Sequence, residues 1–371
     1  MKILFLDQFS EMGGGQRVLL DVVDAVVGRG WTANVLVPGN GPLVEQLRAR
    51  GVPVEHIPCG PYHSGAKSPA DFLRFALDMR QQARALDDRL RQERFDLIYV
   101  NGPRLLSAAA RAVRDRAPVW FHAHSRLQQS YAVRAAGSSI RKVDATVVAC
   151  SKSAAEPLRP YVGPGKLHVI PNGTPDLGFR ERGLDGVGTI GVVGRISPEK
   201  GQMEFLGAVD LLKPEFPSVR FVICGAATLP SQKYFERVQT LARSLNVELL
   251  GWREDIASVF SDLDLLVTPS KEEAMGRVLV EAFSAGVPVV AFPVGGIPEV
   301  IADGETGFLV RGTTPQALAG RIRELLNGDA ETLHRVSLNA RRAWEQRYTV
   351  TAFQQRITDL MVEVMCGVRG C

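Results

Sequence analysis

HVIPNGTPDLGFRERGLDGVGTIGVVGR (168–195) carries the reading of the fold, because a segment dense in Gly, Pro and charge runs straight into an apolar strand pattern that has already occurred upstream. Before it, short apolar runs bounded by turn residues recur at KILFL (2–6), ANVLVP (33–38), DLIYV (96–100), VWFH (119–122) and ATVVAC (145–150). Runs of this kind suit strands buried on both faces of a parallel sheet. Helically spaced segments at 16–29, 43–50, 71–94 and 105–116 separate them, and such alternation specifies a doubly wound α/β sheet. After the Gly/Pro-rich segment it begins again with TIGVVGR (189–195), RFVICG (220–225), VELLG (247–251), DLLVTPS (264–270) and VPVVAFP (287–293), with helical spacing at 202–212, 234–245, 255–260, 278–285 and 315–326. Two Rossmann-like domains are therefore expected, 1–171 and 172–350, with a hinge at about 171–187. Helical stretches at 330–346 and 351–365 flank RYTVT (347–351), whose β-branched residues predict a kink and a tail helix, about 351–371, that packs back on the first domain. Open α/β sheets bind ligands outside the carboxyl ends of their strands, which places the expected function at a central crevice between the halves.

Bulk properties agree. A chain of 371 residues is too long for one ordinary core, and its balanced composition without low-complexity tracts excludes disorder. The apolar stretch before Asp7 falls far short of a signal peptide, and no run approaches the roughly 18 apolar residues that cross a bilayer. Five cysteines without C-x-x-C spacing argue against a disulfide framework or a zinc site, and fit a cytoplasmic protein. The net charge of +4 hides an asymmetry: residues 1–172 carry 23 Lys+Arg against 15 Asp+Glu, and the remainder 21 against 25. That favours an anionic partner for the first half, such as a membrane surface met peripherally at its inner face, although Arg-rich solvated helices account for it equally. Arg126, Arg134, Arg141 and Lys142 are the cations expected to meet it.

The candidate chemistry lies in PSKEEAMGRVLVEA (269–282). Glu273 and Glu281 stand one before and one on a helix that starts near Gly276, whose first N–H groups offer a site for a diphosphate or a sugar oxygen. Two acids on a solvated helix face explain the bare spacing as well. In GRISPEKG (194–201), Arg195 ends a strand and Lys200 enters the next helix, so both cations can reach one diphosphate; a turn with a surface lysine is the plainer alternative. EMGGGQR (11–17) opens the first helix without a G-x-G-x-x-G fingerprint, and its glycines permit close approach of a phosphate. His122 and His124 follow a strand, and no acidic or thiol partner is spaced to complete a metal site with them. GWRED (251–255) is either a ligand loop or an exposed turn capped by Asp255.

In this order, and followed by VPVVAFPVGGIPEVIADGETGFLV (287–310), these elements resemble the retaining GT-B glycosyltransferases of the family numbered four, in which E-x7-E precedes GG-x-P-E-x4-G-x-x-G. The likeness covers most of the chain and is strongest over 190–310. It implies transfer of a sugar from a nucleoside-diphosphate-sugar donor to an acceptor hydroxyl with retention, without metal or cofactor and without a nucleic-acid partner. On that resemblance Glu281 holds the donor ribose, and Glu273 positions the sugar hydroxyls rather than acting as a nucleophile. Backbone amides of Ala274, Met275, Gly276, Arg277 and Val278 bind sugar and diphosphate. Arg195 and Lys200 neutralise the diphosphate, which Gly14 and Gly15 also face. His122 touches the donor sugar, and Trp252 or Arg253 lines the base pocket. Ala274-Met275-Gly276 departs from the usual Gly/Pro-Phe-Gly, which leaves the sugar open. Acceptor residues are expected in CGPYHSGAKSP (59–69) and HSRLQQSYAVR (124–134), whose sequences name no ligand. A sugar-nucleotide 2-epimerase of the same architecture and a non-catalytic nucleotide-sugar binder are the alternatives; intact EKG and E-x7-E elements weigh against the second.

Overall fold

The computed structural model describes residues 1–60, 68–182, 187–227 and 231–369. Most of the expected acceptor loop 59–69, part of the hinge (183–186) and Cys371 lie outside them. The chain divides into two compact units, one of Met1–Asn172 with Thr351–Cys371 and one of Gly173–Val350.

Unit 1 runs β1 (Lys2–Asp7), α1 (Gly14–Gly28), β2 (Thr32–Val37), α2 (Pro42–Ala49), β3 (Val54–His56), α3 (Pro69–Gln92), β4 (Leu97–Asn101), α4 (Leu106–Ala112), β5 (Val119–Ala123), α5 (Ser130–Val143), β6 (Thr146–Ala149), α6 (Lys152–Ala155) and β7 (Leu167–Val169). All its strands pair in parallel, in the order β3-β2-β1-β4-β5-β6-β7. Ile3, Phe5, Val35, Leu97 and Tyr99 share one core with α1, α2 and the tail helix, while Leu4, Leu6, Ile98 and Val100 point the other way by strand alternation. Helices α3, α4 and α5 pack side by side. α4 stops at Ala112 rather than near 116, because Arg114 takes a left-handed backbone (φ 49°). The expected acceptor loop at 124–134 is only partly loop, since α5 begins at Ser130.

Unit 2 runs β8 (Thr189–Val193), α7 (Gln202–Leu212), β9 (Arg220–Cys224), α8 (Gln232–Ser244), β10 (Glu248–Gly251), α9 (Ile256–Asp262), β11 (Leu265–Thr268), α10 (Arg277–Ala285), β12 (Val289–Ala291), α11 (Ile297–Val300), β13 (Phe308–Leu309), α12 (Pro315–Leu326) and α13 (Ala330–Arg347). Its parallel sheet is ordered β10-β9-β8-β11-β12-β13. β13 pairs in parallel with β12, so the stretch 292–307 between them is a crossover.

A strap at 173–182 fastens this unit on itself. Arg341 donates to both carboxylate oxygens of Asp176 (2.7 and 2.8 Å) and to the Ser284 carbonyl (2.6 Å), and Trp344 Nε1 donates to Thr174 Oγ1 (3.0 Å). The buried Arg182 guanidinium caps the end of α9 by donating to the carbonyls of Phe260, Ser261 and Leu263. The predicted kink falls at Tyr348 and Thr349, after which α14 (Val350–Arg369) joins the core of unit 1. Phe353, Ile357 and Met361 are fully buried, at roughly 1.5–3 kcal/mol apiece, so the tail is structural core.

Candidate functional site

At the carboxyl end of the first sheet, β1 and β4 mark the switch in strand order where such sheets take ligands. β1 ends on Asp7, fully buried, whose carboxylate accepts from Gln16 Nε2 (3.0 and 3.2 Å), Asn101 Nδ2 (2.5 Å) and the Phe9 N–H (2.8 Å). Burial pushes this carboxyl up to about 6, against the pull of those donors. Asn101 Nδ2 also donates to the Gly15 carbonyl (3.2 Å), and Asn101 Oδ1 lies 2.6 Å from His124 Nε2. With the Asn101 amide nitrogen committed to Asp7, its oxygen must accept, so His124 Nε2 carries the proton.

Helix α1 starts at Gly14 with no side-chain cap. A Cβ on Gly15 would stand 3.3 Å from the His124 ring, so glycine there lets helix and imidazole meet. Asp7 and Asn101 carry no motif, and contacts across 94 residues tie Asn101 to Asp7, so no local pattern announces them.

His122 is placed differently from expectation. It is fully buried within β5, hydrogen-bonded through Nδ1 to the Tyr99 hydroxyl and stacked on Phe353 of α14. Burial, with His124 beside it, holds its pKa well below the usual histidine range, so the ring is neutral. His124, half-buried one residue beyond the strand, is the imidazole beside the glycine loop.

In unit 2, β8 and β11 are neighbours, which brings the exits of GRISPEKG and DLLVTPS together. Lys200 Nζ lies 2.5 Å from Glu273 Oε2, joining the two motifs across 73 residues. Arg195 pairs with Glu199 at 2.6 Å, and Arg277 faces Glu281 at 3.6 Å. Thus both carboxylates of E-x7-E stand against cations, Glu273 before α10 and Glu281 on it. Gly276 caps α10 with a left-handed backbone (φ 83°) and no side-chain bond; Met275 and Gly276 are buried, while Ala274, Arg277 and Val278 are half-buried.

Two glycines brace this loop. A Cβ on Gly201 would come 1.8 Å from the Pro269 carbonyl oxygen, and one on Gly295 1.8 Å from that of Glu273. Gly296 N–H donates to the same Glu273 carbonyl (3.0 Å), and Lys271 N–H to the Glu199 carbonyl (2.8 Å). The EKG turn and the 295–296 turn therefore hold residues 269–276 between them.

Trp252 and Arg253 stand apart from this cluster. They follow β10, the edge strand, two places from β8. Trp252 is 65% exposed, and Arg253 lines a pocket of about 280 Å³ with Glu248 and Asp262. Asp255 accepts from Ser258 N–H at 3.2 Å and caps α9. Among the described residues, no group of three or more His, Cys, Asp or Glu is placed to hold a metal ion, and no helix is long and apolar enough to cross a membrane.

Two parallel doubly wound sheets in one chain, the second with paired carboxylates and cations at the entry to α10, define an α/β protein of the GT-B class. A model of the group 1 glycosyl transferases matches residues 179–343, and one of the glycosyl transferase 4-like domain matches 13–173. D-inositol 3-phosphate glycosyltransferase of Corynebacterium glutamicum is 34% identical over 147 residues, which are 38% of this chain and 35% of that protein. Its namesake in Mycolicibacterium gilvum is 31% identical over 208 residues, 52% of this chain and 46% of that protein. The chain thus spans less than half of either relative's length. Anabaena HepE, solved with UDP-glucose, superposes with a TM-score of 0.81 at 27% identity over 98% of this chain and all of its own. Each half of the chain thus resembles a glycosyl transferase domain, and the chain has the GT-B fold.

Proposed function

We propose that this protein transfers a sugar from a UDP-sugar to an acceptor hydroxyl with retention of configuration, and that unit 2 holds the donor. The observation that carries the reading is the Lys200–Glu273 pair: the cation meant for a diphosphate and the carboxylate meant for sugar hydroxyls already touch, beside the start of α10. Donor binding would exchange these internal ion pairs for contacts to the ligand. Lys200 and Arg195 would meet the diphosphate with amides of the α10 first turn, Glu273 the sugar and Glu281 the ribose. The C1–O bond to the diphosphate breaks, the acceptor oxygen bonds to C1 on the same face, and the leaving phosphate oxygen takes the acceptor proton. Fixed cations and amides would stabilise the departing charge without a metal. HepE was solved with UDP and UDP-glucose, which supports uridine as the base.

In unit 1 we assign the imidazole role to His124 rather than His122, because His124 lies against the Gly14–Gly15 loop. The names of the relatives favour a phosphorylated polyol as acceptor, which the cation surplus of the first half suits. A thermal-shift panel of UDP-, GDP- and ADP-sugars, then transfer to inositol phosphates with the product anomer read by NMR, tests the reading. UDP-sugars should stabilise the protein, and Lys200→Ala and Arg195→Ala should each cut turnover about a hundredfold. Undiminished transfer in either variant would overturn the site, and an inverted product the stereochemistry. Epimerised donor formed without acceptor would instead mark the 2-epimerase.

A further inference from the structure

We propose that the outer face of α3, with the helix ends beside it, is a docking surface for an anionic lipid bilayer. Leu73, Leu77, Arg80 and Arg84 recur at i, i+4, i+7 and i+11, one stripe of a 24-residue helix about 36 Å long. Leu73 and Leu77 are 65% and 50% exposed, the most exposed large apolar side chains among the described residues of unit 1. Arg80 and Arg84 open onto a groove of about 670 Å³, also walled by Arg111 and Arg114 at the end of α4 and by Lys142 at the end of α5.

None of these five cations enters an ion pair or hydrogen bond among the described residues. The acids of the groove are Asp115 and Asp87, and Asp87 is already taken by Arg91 and Arg116, both at 2.7–2.8 Å. Other cations of the same unit do find partners: Arg29, Arg50, Arg89 and Arg116 each face a carboxylate. Lys142 and Arg111 lie at helix carboxyl ends, where a cation answers the dipole, but Arg80 and Arg84 sit mid-helix, where no dipole calls for them.

The leucines decide the occupant. A nucleic acid would use the cations and leave Leu73 and Leu77 in water, whereas an interfacial helix sinks its apolar residues into the acyl boundary while its arginines meet lipid phosphates. The other cations expected at a membrane are placed elsewhere. Arg126 donates to the Ser153 carbonyl, Arg134 faces Ser130, and Arg141 is bound to the Pro160 carbonyl and lies over Tyr161; Lys142 alone of the four lines the groove. The proposal goes beyond the reading above and does not rest on the transfer reaction.

Flotation of the full chain with phosphatidylcholine vesicles, with and without phosphatidylglycerol, tests it. The protein should rise with the anionic vesicles only, and added salt should weaken binding. At about fivefold per cation, Arg80→Gln with Arg84→Gln should weaken binding roughly 25-fold. Leu73→Ser with Leu77→Ser should weaken it in a manner that salt does not reproduce. An unchanged far-UV spectrum and melting midpoint establish that the variants are folded. Failure of the wild type to float with anionic vesicles, flotation of both double variants at wild-type strength, or an Arg80→Gln/Arg84→Gln variant that floats as the wild type does but loses binding to a labelled oligonucleotide would each overturn the proposal. None of these outcomes bears on donor turnover, so the two readings fail separately.

Discussion

Gly295→Ala isolates the brace behind Glu273. At φ 56° an alanine pays about 1–2 kcal/mol of left-handed strain. Its Cβ would also stand 1.8 Å from the Glu273 carbonyl oxygen, where contacts closer than 3.0 Å essentially never occur, so the loop must retreat by about 1.2 Å and loosen the Gly296 N–H bond to that carbonyl. A displacement of about 1 Å at a substrate-positioning group costs on the order of a hundredfold in rate. Gly304→Ala is the matched control: its φ is 75°, yet nothing lies within 4 Å of the added methyl. Both variants should lose about 1–3 kcal/mol of stability in urea melts. Initial rates of UDP release from the UDP-sugar should fall about a hundredfold in Gly295→Ala and stay near wild type in Gly304→Ala. Equal rates in the two variants would refute the idea that the 295–296 turn sets the position of Glu273.

Asp7, raised to about 6 from an unfolded value of 3.8, binds its proton more tightly in the folded state, so its contribution to stability is fully present below pH 3.8 and is lost as pH rises through 6. Asp7→Asn should flatten that segment of the stability–pH profile, worth about 3 kcal/mol, in melts from pH 4 to 7; an unaltered slope would contradict the burial argument. Asp255→Ala removes the cap of α9 and should lower stability by about 1 kcal/mol, read as a melting shift. Arg341→Met should cost about 2 kcal/mol and speed amide exchange over 174–180, since Asp176, held below the usual carboxylate range chiefly by its bond to Arg341, loses that partner.

Most of the architecture was legible because buried parallel strands write themselves as apolar runs. The elements missed were those too short to show a period, β3 and β7 at three residues and β13 at two, or those read as loop, such as α5. The meeting of Lys200 with Glu273 was legible for a different reason: both fall in compact motifs, and strand order then brings β8 beside β11. Gly295 was visible only as part of a motif, since its role rests on a backbone atom 22 positions away. The two histidines were indistinguishable in sequence, because positions two apart on a strand point the same way. What separates them is Phe353, more than two hundred residues on, which covers one ring and leaves the other.

The return of α14 has a consequence for anyone cutting the gene. Unit 2 is, topologically, an insertion: the chain leaves unit 1 after Asn172 and re-enters it at Thr351. A fragment ending at 172 would lack Phe353, Ile357, Leu360 and Met361, opening an apolar furrow across α1 and α2 and inviting aggregation. A single proteolytic nick between the units, by contrast, would leave both pieces attached, since α14 acts as a noncovalent clasp on the first half. Separating the halves cleanly therefore calls for a circular permutation or a graft of 351–371 onto residue 172, and not for a simple truncation.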